Sequence, residues 1–95
     1  MKNITVKILL LPPLDGLVSN STESIVVNKN TTVLEFIRKY SEDNTSLAGH
    51  LFKDNHLCDY INIFCNGEQV HADDCNHHKL MQDSEICLLS AIRGG

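Results

Sequence analysis

One capped helix standing between two sets of strand-like runs is the feature that most narrows what this 95-residue chain can fold into. Thr32-Val33-Leu34-Glu35 has the form of a capping box, in which the Thr hydroxyl and the Glu carboxylate each accept from an otherwise free backbone N–H. Val33, Leu34, Ile37 and Tyr40 then share one helical face, with Phe36 at its border. Glu35 and Lys39 form an i,i+4 pair in the favourable order. The helix is expected to run to about Asp43, where Asn44-Thr45-Ser46 breaks it; Leu47–Phe52 has room for a short second helix with Leu47 and Leu51 inward.

Ahead of the helix, Ile4, Val6, Ile8 and Leu10 alternate with Thr5 and Lys7, the pattern of a half-buried strand over Ile4–Leu11. Pro12-Pro13 ends it, and Leu14–Thr22 reads as an exposed loop. Glu23–Asn28, with Ile25, Val26 and Val27, is a second strand, paired with the first as a hairpin across that long loop. Behind the helix, Tyr60–Cys65 is a third strand. Asn66-Gly67 is the signal of a type I′ turn, since both positions need positive φ, and Glu68–His71 is the return strand. Ala72–Asp83 reads as an irregular connection. Ile86–Ile92 is the last strand, where adjacent Leu88 and Leu89 imply burial on both faces. Its apolar content after short antiparallel elements favours a central position beside the first strand, and the distance between the two in sequence leaves parallel pairing open. The order β-β-α-β-β-β predicts one α+β domain over 1–95, a mixed sheet of about five strands with one main helix packed across it.

Composition narrows function more than fold. With 42% hydrophobic residues, a net charge of −4 and scattered basic residues, the chain has no basic patch for nucleic acid or anionic lipid. No run approaches a membrane span and no leader is visible, so a cytoplasmic protein with neither nucleic-acid nor membrane partners is expected. Four cysteines in such a chain read as free thiols: Cys65 and Cys87 in strands, Cys58 and Cys75 in loops. His56-x-Cys58 and Cys75-x-His77 lack the spacing of a zinc site, and no metal is expected.

The chemistry points to the end of the chain. Glu85–Ile92 gives a strand-like root, and Arg93-Gly94-Gly95 follows it. Two residues without Cβ atoms make a thin tail over about 91–95, able to enter a narrow channel and present the Gly95 carboxylate for activation with ATP. The plain alternative is a frayed terminus.

The segment Asp59–Val70, the Ser84-Glu85-Ile86 start of the last strand and the terminal Gly94-Gly95 resemble the bacterial and archaeal sulfur-carrier family. That family includes the small subunit of molybdopterin synthase and the thiamine-pathway carrier. The resemblance covers nearly the whole chain, and it implies the ubiquitin-like β-grasp fold. It also implies a mechanism. A ubiquitin-activating-type enzyme adenylates the Gly95 carboxylate at the expense of ATP, with Gly94 and Arg93 forming the part of the tail that enters its channel. A sulfur donor then converts the adenylate to a thiocarboxylate, which an acceptor enzyme consumes; the molybdopterin synthase large subunit is the first candidate. The chain itself binds no cofactor and catalyses nothing. Three positions depart from the family: Gln82-Asp83-Ser84 stands where Asp-Gly-Asp is common, Ser90-Ala91 stands where the molybdopterin subunits often have Pro-Pro, and Arg93 precedes the glycines as in ubiquitin.

Three other readings compete. A ubiquitin-like modifier would use the same activated carboxylate to acylate target lysines. A plain interaction domain would leave the glycines idle, and a thiol enzyme would pair a cysteine with one of the five histidines. For a carrier or modifier, an apolar docking patch on the open sheet face is expected, with Leu88 or Leu89, Val70 and Ile63 as candidates whose facing strand parity leaves undecided.

Overall fold

A computed structural model of the chain describes residues 2–90. Five strands form one mixed sheet in the order β2-β1-β7-β5-β6. They are β1 (Asn3–Leu10), β2 (Thr22–Asn28), β5 (Ile61–Cys65), β6 (Glu68–Val70) and β7 (Ser84–Ser90). Helices α1 (Val33–Glu42) and α2 (Thr45–Leu51) lie between β2 and β5 in the chain, followed by a two-stranded hairpin of β3 (Phe52–Lys53) and β4 (His56–Leu57). β7 is parallel to β1 and antiparallel to β5, the central place beside the first strand that its apolar run favoured. This is the ubiquitin-like β-grasp arrangement. Ala91 and Ile92 of the expected last strand lie outside the described residues, as do the tail residues Arg93, Gly94 and Gly95.

The alternation read in the sequence sorts the sheet into two faces. Ile4, Val6, Ile8 and Leu10 from β1, Ile61, Ile63 and Cys65 from β5, and Ile86 and Leu88 from β7 are all buried. From the helices come Val33, Phe36, Ile37, Tyr40, Leu47 and Leu51. Burying a Leu, Ile or Phe side chain is worth about 1.5–3 kcal/mol each, so this shared layer drives the fold. The helix is rotated slightly from expectation: Phe36 is buried, whereas Leu34 is half-buried at the margin. A stripe wider than one face at 3.6 periodicity leaves that choice to whatever packs against it.

The capping box forms in full. The Glu35 N–H donates to Thr32 Oγ1 at 3.1 Å, and the Thr32 N–H donates to the Glu35 carboxylate at 2.9 Å. The remaining first-turn donors go to the segment expected to be irregular: the Val33 N–H to His78 O at 2.9 Å and the Leu34 N–H to Cys75 O at 3.0 Å. The stretch after β6 is therefore the lid on the helix N-terminus, satisfying groups that a helix cannot satisfy itself. Closing it there buries Cys75, whose Sγ donates to Ala72 O at 3.0 Å, and Leu80.

One expectation needs correction, and one element is added. Leu14–Thr22 is not simply an exposed loop: Leu14–Leu17 is a 3-10 turn, and Leu14 is fully buried against the end of the core near α2 and β7. The expected short second helix is present as α2, with Leu47 and Leu51 buried, and the hairpin after it, not anticipated from the sequence, is turned by Asp54 and Asn55 at φ 52° and 67°. Asp and Asn tolerate the left-handed region. Arg38 locks this hairpin to α1, with its guanidinium 4.8 Å from the Phe52 ring centroid and two donated bonds to Asn55, at 2.9 Å and 2.8 Å. At the other turn Asn66 and Gly67 have φ 52° and 87°, as the Asn-Gly signal required.

Candidate functional site

The expected reacting group, the Gly95 carboxylate, and its neighbours Gly94 and Arg93 lie outside the described residues. The described part of the site is the strand they continue from and the sheet face around it. β7 is bonded to a neighbour on each side, to β1 and to β5, so its direction is fixed along its length. Its start is pinned as well. Asn66 donates from its backbone N–H to Glu85 O and accepts from the Glu85 N–H through Oδ1, both at 2.9 Å. Asp83 accepts from the Thr5 N–H at 2.8 Å, and Ser84 Oγ donates to Gln82 O at 2.8 Å. The turn into β7 is thus held by side chains.

Along β7, Ile86, Leu88 and Ser90 face the core, while Glu85, Cys87 and Leu89 face the open side. The register aligns Thr22, Leu9, Cys87, Phe64 and Gln69 in one row across all five strands. Asn62 pairs with Leu89 one step nearer the chain end. Leu9, Phe64, Cys87 and Leu89 are each half-buried, an apolar patch beside the C-terminal end of β7. Asn62 and Gln69, joined at 3.3 Å, border it on one side. Lys7 and Glu85, 3.9 Å apart and both about half exposed, form its far rim. Such a surface pair contributes little to stability, typically 0–1 kcal/mol; its charges mark where the apolar surface stops.

Of the four expected docking residues, Leu88, Ile63 and Val70 lie in the core and only Leu89 is on the open face. Leu9, Phe64 and Cys87 were missed. Phe64 was within reach of sequence reasoning, since it alternates with Ile63; Leu9 and Cys87 join the patch only through pairing between distant segments.

Burial pushes the Cys65, Cys75 and Cys87 thiols up from their ordinary value, with nearby acidic residues adding to the effect, Glu68 at Cys65 and Glu85 at Cys87. A thiol held protonated is a poor nucleophile. Among the described residues no three His, Cys, Asp or Glu side chains converge where a metal ion could sit, and no helix is long and apolar enough to cross a membrane.

Neither a protein-family model nor a curated protein sequence matches the chain. Solved structures do. SAMP1 from Haloferax volcanii superposes with a TM-score of 0.82 at 22% identity, over 96% of this chain and 99% of that one. A putative molybdopterin converting factor subunit 1 from Pyrococcus furiosus gives 0.72 at 16% identity, over 94% and 99%. A chain of the Amycolatopsis orientalis BexX/CysO complex gives 0.71 at 22% identity, over 95% and 99%. At these identities the likeness establishes the ubiquitin-like β-grasp fold that the sulfur-carrier resemblance implied.

Proposed function

We propose that the protein is a sulfur carrier, activated at the Gly95 carboxylate by an ATP-dependent enzyme of the ubiquitin-activating type. The observation that carries this reading is the pairing of a β7 bonded on both sides with an apolar open-face patch at its end, from which the chain continues to Gly94-Gly95. Five residues beyond Ser90 extend at most about 17 Å. An enzyme seated on Leu9, Phe64, Cys87 and Leu89 would therefore have the carboxylate within reach of a nearby active site. The named neighbours, a molybdopterin converting factor and a CysO complex among them, support the same reading.

In the proposed reaction a Gly95 carboxylate oxygen attacks the α-phosphorus of ATP, and pyrophosphate leaves. A sulfide-level nucleophile from the sulfur donor then attacks the acyl carbon; the C–S bond forms as the bond to AMP breaks, leaving a thiocarboxylate. Gly94 keeps the approach free of a side chain that would collide with channel walls. The acceptor enzyme takes the sulfur for cofactor or metabolite synthesis, with molybdopterin as the first candidate. The chain is the carried substrate throughout, and its protonated, buried thiols argue against a thiol enzyme.

A second reading, a ubiquitin-like modifier joined through Gly95 to lysines of targets, is favoured by the likeness to small archaeal modifier proteins and by Arg93 before the glycines. It shares the adenylate and differs only in the attacking atom. N-terminally tagged protein incubated in its own cell extract with ATP and a sulfur source separates the two. A free chain with one terminal oxygen replaced by sulfur is the carrier's product. A ladder of reductant-resistant conjugates without thiocarboxylate is the modifier's. Protein lacking Gly94-Gly95 is expected to yield neither, and full sulfur transfer by that variant would refute both.

A further inference from the structure

We infer that the β2 edge and the groove between β2 and α1 form a second docking site, distinct from the β7 patch, for an extended segment of a partner protein. That segment would add as a strand to β2, with aliphatic side chains at alternate positions and a Lys or Arg at one end. The edge itself supplies the first observation. The Leu10 N–H donates to Ser21 O at 2.8 Å and the Lys29 N–H to Lys2 O at 3.0 Å, and the register between them is unbroken. Odd-numbered residues of β2 therefore bond to β1, and Thr22, Ser24, Val26 and Asn28 turn their backbone groups outward. Asn28 O is taken by Thr31. The outward N–H and C=O groups of Thr22, Ser24 and Val26 have no partner among the described residues.

Sheets usually blunt such an edge by brevity, proline, lysine or a bulge. β6, at the opposite edge, is only three residues long. β2 is seven residues, Thr-Glu-Ser-Ile-Val-Val-Asn, with no proline, lysine or bulge and a single charged residue, Glu23, near its start, and its Val26 is 60% exposed. An accessible row of donors and acceptors is the requirement for strand addition, and pockets for alternate side chains supply specificity.

The pocket is present on the helix side. A groove of about 390 Å³ runs between β2 and the C-terminal half of α1. Its apolar lining is Ile25, with Val27, Phe36 and Tyr40 beneath it and nearly closed to solvent, and Glu23, Asp43, Lys39, Ser19 and Asn20 make up its polar rim. The Tyr40 hydroxyl is pushed above its ordinary value by burial and, to a lesser degree, by the Glu23 carboxylate, which lines the same groove. Two carboxylates against one ammonium leave the rim net negative, so a basic residue on the incoming segment has a counter-charge to meet. A second copy of β2 fits less well, because its Glu23 stands two residues from Ile25, where the proposed segment has its Lys, and would meet the net-negative rim with a like charge.

The test is titration of the synthetic peptide acetyl-Ser-Val-Thr-Ile-Thr-Lys-Gly-amide into ¹⁵N-labelled full-length protein, followed by amide shifts and hydrogen exchange. The Thr22, Ser24 and Val26 amides are expected to shift and gain protection, while the interior Thr5 and Lys7 amides do not. Val26→Pro removes one outward N–H without breaking a bond to β1, and is expected to weaken binding about tenfold. Replacing the peptide Lys by Glu weakens binding whether or not that variant folds. Shifts centred on Leu9, Phe64 and Leu89, or none at millimolar peptide, would overturn the inference. So would the same β2 amides shifting with protein concentration alone, which is self-pairing, or indifference to the Lys-to-Glu exchange. These readouts use neither ATP nor sulfur, so they stand or fall apart from the carrier reading.

Discussion

Leu88 and Leu89 are the same residue one position apart on the central strand, and truncating each to Ala should have opposite consequences. Leu88 is fully buried between the sheet and the helices. Its truncation removes three heavy atoms from a close-packed layer and leaves a cavity that both neighbouring strands hold open, at a cost of 2–5 kcal/mol. Taking about 3 kcal/mol, and 4–8 °C per kcal/mol for a domain of this size, the melting temperature should fall by about 12–24 °C. Leu89 is half-buried on the open face. Roughly half the transfer free energy of a Leu side chain, about 1 kcal/mol, is lost there, or about 4–8 °C. The functional order is reversed. Leu89→Ala should leave a folded protein that forms thiocarboxylate poorly in extract with ATP and sulfide, because the patch that seats the activating enzyme is cut. Leu88→Ala, assayed well below its transition, should be activated almost normally. Paired melting curves and paired thiocarboxylate yields decide the matter. Equal loss of stability in the two variants would refute the assignment of faces. Normal activation of Leu89→Ala would refute the docking role of the patch.

Three further outcomes are expected. Thr32→Ala should cost about 1 kcal/mol in chemical denaturation by opening the capping box. Hydrogen bonds from Thr32, its backbone N–H first, hold the Glu35 carboxyl below its ordinary value of 4.5, so the carboxylate's share of the cap is present above that pH and is lost as pH falls through the lower folded value; the gap in acid melting between wild type and Glu35→Ala should narrow there, while the Thr32→Ala gap, which reflects the hydroxyl's bond from the Glu35 N–H, persists. The Cys65, Cys75 and Cys87 thiols are raised above 9.0, chiefly by burial, so their contribution to stability is complete below pH 9 and is lost as pH rises through the higher folded values. Melting temperature should therefore decline on the alkaline side, and native alkylation of Cys65 and Cys75 should be slow at neutral pH. Arg38→Ala, which removes the stack on Phe52 and both bonds to Asn55, should cost about 1 kcal/mol and speed amide exchange across residues 52–57 with the sheet amides unchanged.

Features decided by neighbours in sequence were legible without coordinates. A capping box needs a Thr and a Glu three apart, a type I′ turn needs Asn-Gly, and a half-buried strand needs alternation; Thr32 with Glu35, Asn66-Gly67 and Ile4–Leu10 each supply their signal locally. The Asp54-Asn55 hairpin was encoded as locally, but its strands are two residues each, too short for alternation to mark them. The candidate site divides along the same line. Adjacent leucines at 88 and 89 show that both faces of β7 are in demand, yet which face is covered depends on β1, β5 and the helices. Leu14 entered the core and Cys75 was sealed beneath the helix cap for that reason, since a residue in a loop is buried by what arrives from elsewhere in the chain. The sequence by itself determined the five sheet strands, the capped helix and their order. Tertiary structure alone decided the faces: it gathered Leu9, Phe64, Cys87 and Leu89 into a patch and left the β2 edge open, because burial is a property of pairs of distant segments and periodicity belongs to one.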